Sequence, residues 1–195
     1  SQAVITISDA HFHENIITSI ANEKSISTFT LQHGMFNELH VPIISNYIFV
    51  WGSFSRNRLL AHGVDSKKIV ISGRIGLSEK LNKYSSSSIE GLHKYPGFKS
   101  QWTVCYIATN WSLRVNRGLL EAFMISISSL DANIIVRLRP NISKSQLSEY
   151  KKILSQFKKE VFLSFEQDIY EIFNVSDILV TCQSGAIIEA LPFGC

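Results

Sequence analysis

Residues Ser176 to Cys195 read SDILVTCQSGAIIEALPFGC. An apolar strand, Ile178 to Thr181, runs into a small polar turn, Gln183-Ser184-Gly185, and then into a helix start with Glu189 on its first turns. A strand entering a helix through Ser-Gly makes an anion site. Unpaired backbone N–H groups and the positive end of the helix dipole face one spot there. Glu189 follows about one turn later, where a carboxylate accepts hydrogen bonds from sugar hydroxyls. Phosphate plus ribose is the chemistry of a nucleotide-sugar site. The competing reading is an ordinary helix cap with Glu189 facing solvent. The chain stops where an α/β domain would turn into another strand, so the expectation is a piece of a larger protein.

The same strand–turn–helix rhythm runs through the rest of the sequence. Short apolar runs at 3–9, 28–32, 47–51 and 68–72 predict strands. Apolar spacing predicts helices at 14–22 and 53–62, the second closed by Gly63. After a break the rhythm resumes, with strands at 102–108, 133–138, 161–165 and 178–182 and helices at 117–129, 143–157 and 168–174. This alternation predicts an α/β fold of two units, each a parallel sheet covered by helices. Residues 78–101 contain four consecutive serines, Gly91, Pro96 and Gly97, a linker composition. The expected organisation is one unit over 1–78, a linker over 79–101 and a second unit over 102–195. Ligands of such sheets sit beyond the carboxyl ends of the strands, which selects the loops after each strand.

Composition narrows the classes. Hydrophobic residues make up 45% of the 195 and charged ones 18%, which suits a packed core and excludes global disorder. A net charge of +3 with scattered basic residues argues against a nucleic-acid partner. No apolar run is long enough to span a bilayer, and no basic-then-apolar leader pattern opens the chain. The three cysteines, Cys105, Cys182 and Cys195, lack metal spacing and read as small hydrophobes of a reducing compartment.

Four groups in the strand-end loops carry candidate chemistry. His33 follows a strand and precedes Gly34. It is a general base, a hydrogen-bond donor to a phosphate, or a loop histidine bonded to backbone. Asp9, His11 and His13 form a D-x-H-x-H cluster. Residues two apart do not share a helix face and no further ligand is evident, so substrate contacts or a solvated loop are preferred to metal. Arg137 and Arg139 lie two apart on one strand and point the same way. They form either a diphosphate fork or a pair at a sheet edge. Gln183, Ser184, Gly185 and Glu189 converge in one loop. Trp51, Phe54 and Trp111 read as core or pocket wall. Gly73-x-x-Gly76 is too short for a dinucleotide fingerprint, and no Walker lysine pattern occurs.

Four runs together resemble a family: FTLQHGMFNE, YIFVWGSFSRNRLLAHGVDSKKIVISGRIG, NIIVRLRPN and DIYEIFNVSDILVTCQSGAIIEALPFG. They are similar to bacterial glycosyltransferases of the two-Rossmann-domain (type B) fold, in the style of surface and capsular polysaccharide transferases and CDP-glycerol glycerophosphotransferases. Gln32-His33-Gly34 matches the segment that closes an acceptor-side strand. Trp51-Gly52, Leu60, Gly63-Val64, Lys68-Ile69 and Gly73 match the run near the domain hinge. Ser176-Asp177, Ser184, Glu189-Ala190-Leu191 and Gly194 match the donor-side run. The resemblance covers most of the chain outside about 80–101. Arg139-Pro140 stands where several of these families have His-Pro, which argues against a glycerophosphotransferase or sialyltransferase using that histidine.

The resemblance implies two Rossmann-like units, both incomplete, with the acceptor side first and the donor-nucleotide side second. It implies a metal-independent enzyme without a cofactor that transfers a sugar from a nucleotide-sugar donor to a glycan or polyprenyl-linked acceptor. It places the protein in the cytoplasm, in peripheral contact with the inner membrane. Ser184-Gly185, Arg137 and Arg139 would hold the diphosphate, Glu189 the ribose, and His33 would deprotonate the acceptor hydroxyl or contact the donor phosphate, with Asp9, His11 and His13 nearby. A UDP-sugar 2-epimerase shares the architecture and is the alternative enzyme. A non-catalytic sugar-nucleotide or glycan-binding module is the alternative outside catalysis.

Overall fold

The computed structural model describes residues 2–8, 11–34, 36, 40–84, 98–109, 112–182 and 184–195. The chain divides into two compact units, Ser1–Leu77 and Ser78–Cys195. Each holds a four-stranded, all-parallel sheet with helices between strands. The α/β class predicted from the strand–helix rhythm is the class observed.

In the first unit the strands are β1 (Ala3–Thr6), β2 (Ser27–Leu31), β3 (Tyr47–Val50) and β4 (Ile69–Ile71), with helices α1 (Phe12–Glu23) and α2 (Ser53–Ala61). The order is β1-β2-β3-β4. Each crossover steps to the next strand in one direction. Right-handed crossovers that all step one way put their connections on one face. The contacts agree. Thr28 Oγ1 donates to Asn22 Oδ1 of α1 at 2.8 Å. Leu59 of α2 packs with Ile48, Val50 and Ile69 on that same face. The opposite face carries Ile5–Phe29–Tyr47 in one row and Leu31–Phe49–Val70 in the next. Ile5 is 65% exposed and Tyr47 44%. Gly63, at φ +79°, closes α2 as its sequence predicts.

The second unit contains α3 (Leu77–Tyr84), β5 (Trp102–Ile107), α4 (Leu113–Ile127), β6 (Ala132–Arg137), α5 (Lys144–Leu154), β7 (Val161–Ser164), α6 (Ile169–Asn174), β8 (Ile178–Thr181) and α7 (Ala186–Ala190). The order is β7-β6-β5-β8, so the winding reverses after β7 and helices cover both faces. Val104, Tyr106, Ile134 and Val136 pack under α4 and α5. Cys105, Ile107 and Ile135 pack under α6 and α7. Asp177 fixes the start of β8 by accepting the Thr103 N–H at 2.7 Å. Ser143 and Gln146 cap α5 reciprocally.

The segment expected as a linker, 79–101, begins inside α3, and residues 85–97 fall outside the described ones. α3 packs on α6. The Tyr84 ring stacks on Tyr170 at 6.1 Å and 15°. The Tyr84 hydroxyl donates to Asp168 Oδ2 at 2.9 Å.

Candidate functional site

A cavity of about 550 Å³ opens at the carboxyl ends of all four strands of the second unit. This is the size of a small-molecule site at the place the strand-end rule selects. Ala108 and Thr109 follow β5. Arg137 to Pro140 end β6, Gln167 to Ile169 follow β7, and Ser184 to Ala186 follow β8.

The two arginines sit there together but in different states. Arg137 is on the face of β6 that carries Ile135. It is 5% exposed, and one guanidinium nitrogen donates to Ser164 Oγ at 3.1 Å. Ser164 in turn donates to Gln167 Oε1 at 2.9 Å. Arg139, past the strand end, is exposed. Burial makes Arg137 part of the frame and leaves Arg139 free to reach a ligand.

Ser184 lines the cavity, and its Oγ accepts the Ala186 N–H at 3.2 Å. The helix start is thus partly capped from within. α7 has five residues, too few to build a full macrodipole. Attraction for an anion therefore rests on the arginines more than on the helix.

Glu189 lies on α7 but does not line this cavity. Its Oε2 accepts the Tyr170 hydroxyl at 2.8 Å. Tyr170 was absent from the sequence-derived candidates. It lies 19 residues from Glu189, and no local pattern joins them.

Asp168 is a second omission. It lines the cavity and caps α6, accepting the Tyr170 N–H at 3.2 Å. Lys80 Nζ stands 3.7 Å from it. Burial opposes its ionisation, but the Tyr170 N–H, the Tyr84 hydroxyl, Lys80 and Lys83 outweigh that and hold its carboxyl below the ordinary aspartate value.

His33 belongs to the first unit. It is exposed beyond β2 and lines a cavity of about 210 Å³ with Gln32, Trp51, Ser72, Gly73 and Arg74. His11 and His13 are exposed at the start of α1 and line neither cavity. Asp9, Gln183 and Trp111 lie outside the described residues. Trp51 is a pocket wall as expected, whereas Phe54 is 66% exposed and belongs to no core. Cys105 is buried and its thiol is pushed up to about 12, chiefly by desolvation, so it is inert packing.

No protein-family model matches the chain, and no curated protein does. Solved structures share its fold. The UDP-GlcNAc 2-epimerase of Methanocaldococcus jannaschii, in complex with UDP-GlcNAc and UDP, gives a TM-score of 0.64 at 17% identity, covering 90% of this chain and 54% of that one. A glycosyltransferase from Rickettsia africae gives 0.52 at 15% identity, covering 92% and 59%. The wall teichoic acid polymerase TagF gives 0.51 at 16% identity, covering 84% and 46%. The chain spans about half the length of these structures, and at such identities the likeness is one of fold.

Proposed function

We propose that the chain is part of an enzyme acting on a nucleotide-activated sugar, and that the second unit holds the nucleotide diphosphate. The observation that carries this is the cavity at the four strand ends, with Arg137, Arg139 and Ser184 around it. Arg139 meets the diphosphate and Arg137 backs it with fixed positive charge, stabilising the leaving group as negative charge develops. Glu189, held by Tyr170 on α7 outside the cavity's lining, takes the ribose of a nucleotide that extends past the cavity toward α7. The M. jannaschii epimerase with UDP-GlcNAc and UDP and the R. africae glycosyltransferase supply fold-level support.

The finer reading is glycosyl transfer to a cell-surface glycan or polyprenyl-linked acceptor, with His33 acting on the acceptor hydroxyl. The order of the sequence motifs favours it. A UDP-sugar 2-epimerase is the second reading, favoured by its higher TM-score.

Calorimetry of the chain with UDP, CDP and GDP tests the common core. One of them is expected to bind, and Arg139→Ala is expected to weaken it about tenfold to a hundredfold, since a charge-assisted bond contributes about 1.5–3 kcal/mol. Absence of binding by all three overturns the reading. With the full-length protein, nucleotide release that requires an acceptor marks transfer. A change of sugar configuration without acceptor marks epimerisation. His33→Ala should lower transfer about 100-fold.

A further inference from the structure

We infer that Gln167 is a specificity residue of the larger cavity, its side-chain amide locked by a buried chain of hydrogen bonds so that it donates to a carbonyl of the ligand. The inference rests on the reading of that cavity as a nucleotide-sugar site. The chain of bonds starts at Arg137. A guanidinium carries N–H groups and no acceptor, so in the 3.1 Å contact with Arg137 the Ser164 Oγ accepts. Ser164 then has one proton to give, and it gives it to Gln167 Oε1 at 2.9 Å. Ser164 is 0% exposed, and its hydroxyl has no other acceptor among the described residues. A flipped Gln167 amide would strand that proton away from water, which is costly. The donor-only arginine therefore dictates, through Ser164, which end of the amide remains.

The end that remains is the nitrogen. Its two N–H groups have no partner among the described residues, and Gln167 is half-buried in the cavity wall. A locked donor selects only against groups that cannot accept. A sugar hydroxyl suits either end of an amide, since it both donates and accepts, so locking gains nothing against it. A carbonyl only accepts. A site built to hydrogen-bond one group rejects analogues that lack it.

Strand order separates this contact from the phosphates. Gln167 follows β7 and Ser184 follows β8, the two outer strands, with β6 and β5 between them. With the diphosphate on Arg139 and Ser184, either the base or the sugar turns toward β7. The carbonyl is accordingly a ring carbonyl of the base or the acetamido carbonyl of an N-acetylated sugar, and the test separates the two.

The nucleoside diphosphate that binds best among UDP, CDP and GDP is compared by calorimetry with its glucose and N-acetylglucosamine conjugates and with pyrophosphate. Each is titrated into wild type and into Gln167→Met, which keeps the length and removes the donor. A loss of about tenfold for the bare nucleotide, the worth of one hydrogen bond, with pyrophosphate unchanged, assigns the base. A loss confined to the N-acetylglucosamine conjugate assigns the sugar. The ¹⁵N signal of the Gln167 side-chain amide, identified by its disappearance in Gln167→Met, is expected to shift saturably with the same ligand. If Gln167→Met does not fold, Gln167→Glu keeps the acceptor for Ser164 and turns the donor into an acceptor, and it should bind at least about tenfold more weakly. Equal affinity of wild type and variant for every ligand overturns the inference and leaves the nucleotide reading standing. A parallel loss for pyrophosphate makes Gln167 a phosphate contact and overturns it as well, and binding of no nucleotide overturns both.

Discussion

Tyr106 shows how a residue can be misread from its surroundings. It is 3% exposed, stacks on Phe123 at 5.0 Å, and its hydroxyl has no hydrogen-bond partner among the described residues. Desolvation first, then Tyr150 and Cys182, push its pKa up to about 12. Such a group resembles a tuned catalytic phenol, but no hydrogen-bond partner stands beside its hydroxyl among the described residues. A buried unpaired hydroxyl carries a desolvation cost without a compensating bond. Tyr106→Phe is therefore expected to stabilise the chain by about 1 kcal/mol in urea unfolding, and a loss of that size would reveal a partner. Glu189 is the opposite case. Its carboxylate accepts the Tyr170 hydroxyl, so Glu189→Ala strands that donor and should cost about 1 kcal/mol of stability while the fold survives and nucleotide binding weakens about tenfold or more by calorimetry; wild-type affinity would remove the ribose assignment. The strand-end rule made Arg137, Arg139, Ser184 and His33 legible in the sequence. Arg74 was not, although its loop was marked. A lone arginine between Gly73 and Ile75 gains meaning only from Trp51, which lies 23 positions earlier.

At the scale of elements, eight strands were readable because most are short apolar or β-branched runs ended by small or polar residues, β2 alternating Thr with Phe and Leu. α3 was not readable. Its packing comes from Tyr84 and Lys80, polar-tipped side chains that look solvated in sequence, and it borders a serine-rich tract. The junction of α3 with α6 turns on Asp168. The Tyr84 bond is the stronger tie, since a hydrogen bond to a charged group contributes about 1.5–3 kcal/mol, whereas an exposed ion pair such as Lys80–Asp168 contributes about 0–1 kcal/mol. Because the folded carboxyl titrates below its unfolded value of 3.8, its contribution is complete above that value and vanishes as pH falls through the lower folded value. Asp168→Asn should thus be less stable than wild type at neutral pH, and the gap should close on acidification below pH 3.8. Denaturation across that range checks this, and a constant gap would remove the charge from the account.

At the scale of the whole chain, the two sheets solve the covering problem differently. The second reverses its winding and covers both faces. The first winds one way and leaves Ile5, Phe29 and Tyr47 in a row with no described helix upon it. A solvated apolar row beside β1, the edge strand among the described ones, invites association. Ile5→Lys is expected to lower both hydrophobic-dye binding and concentration-dependent association in sedimentation, with little change in unfolding; unaltered dye binding would place the exposed surface elsewhere.

Membership of α3 in the second unit has a practical corollary for anyone who cuts this polypeptide. Composition invites scission at the serines of 85–88. A fragment starting there would lose the Tyr84 hydroxyl from Asp168 and the Tyr84 ring from Tyr170, stripping a wall residue of the larger cavity of its support. Scission ahead of Leu77 keeps that buttress, so the two truncations should differ in protease resistance even though both retain every strand of the second sheet.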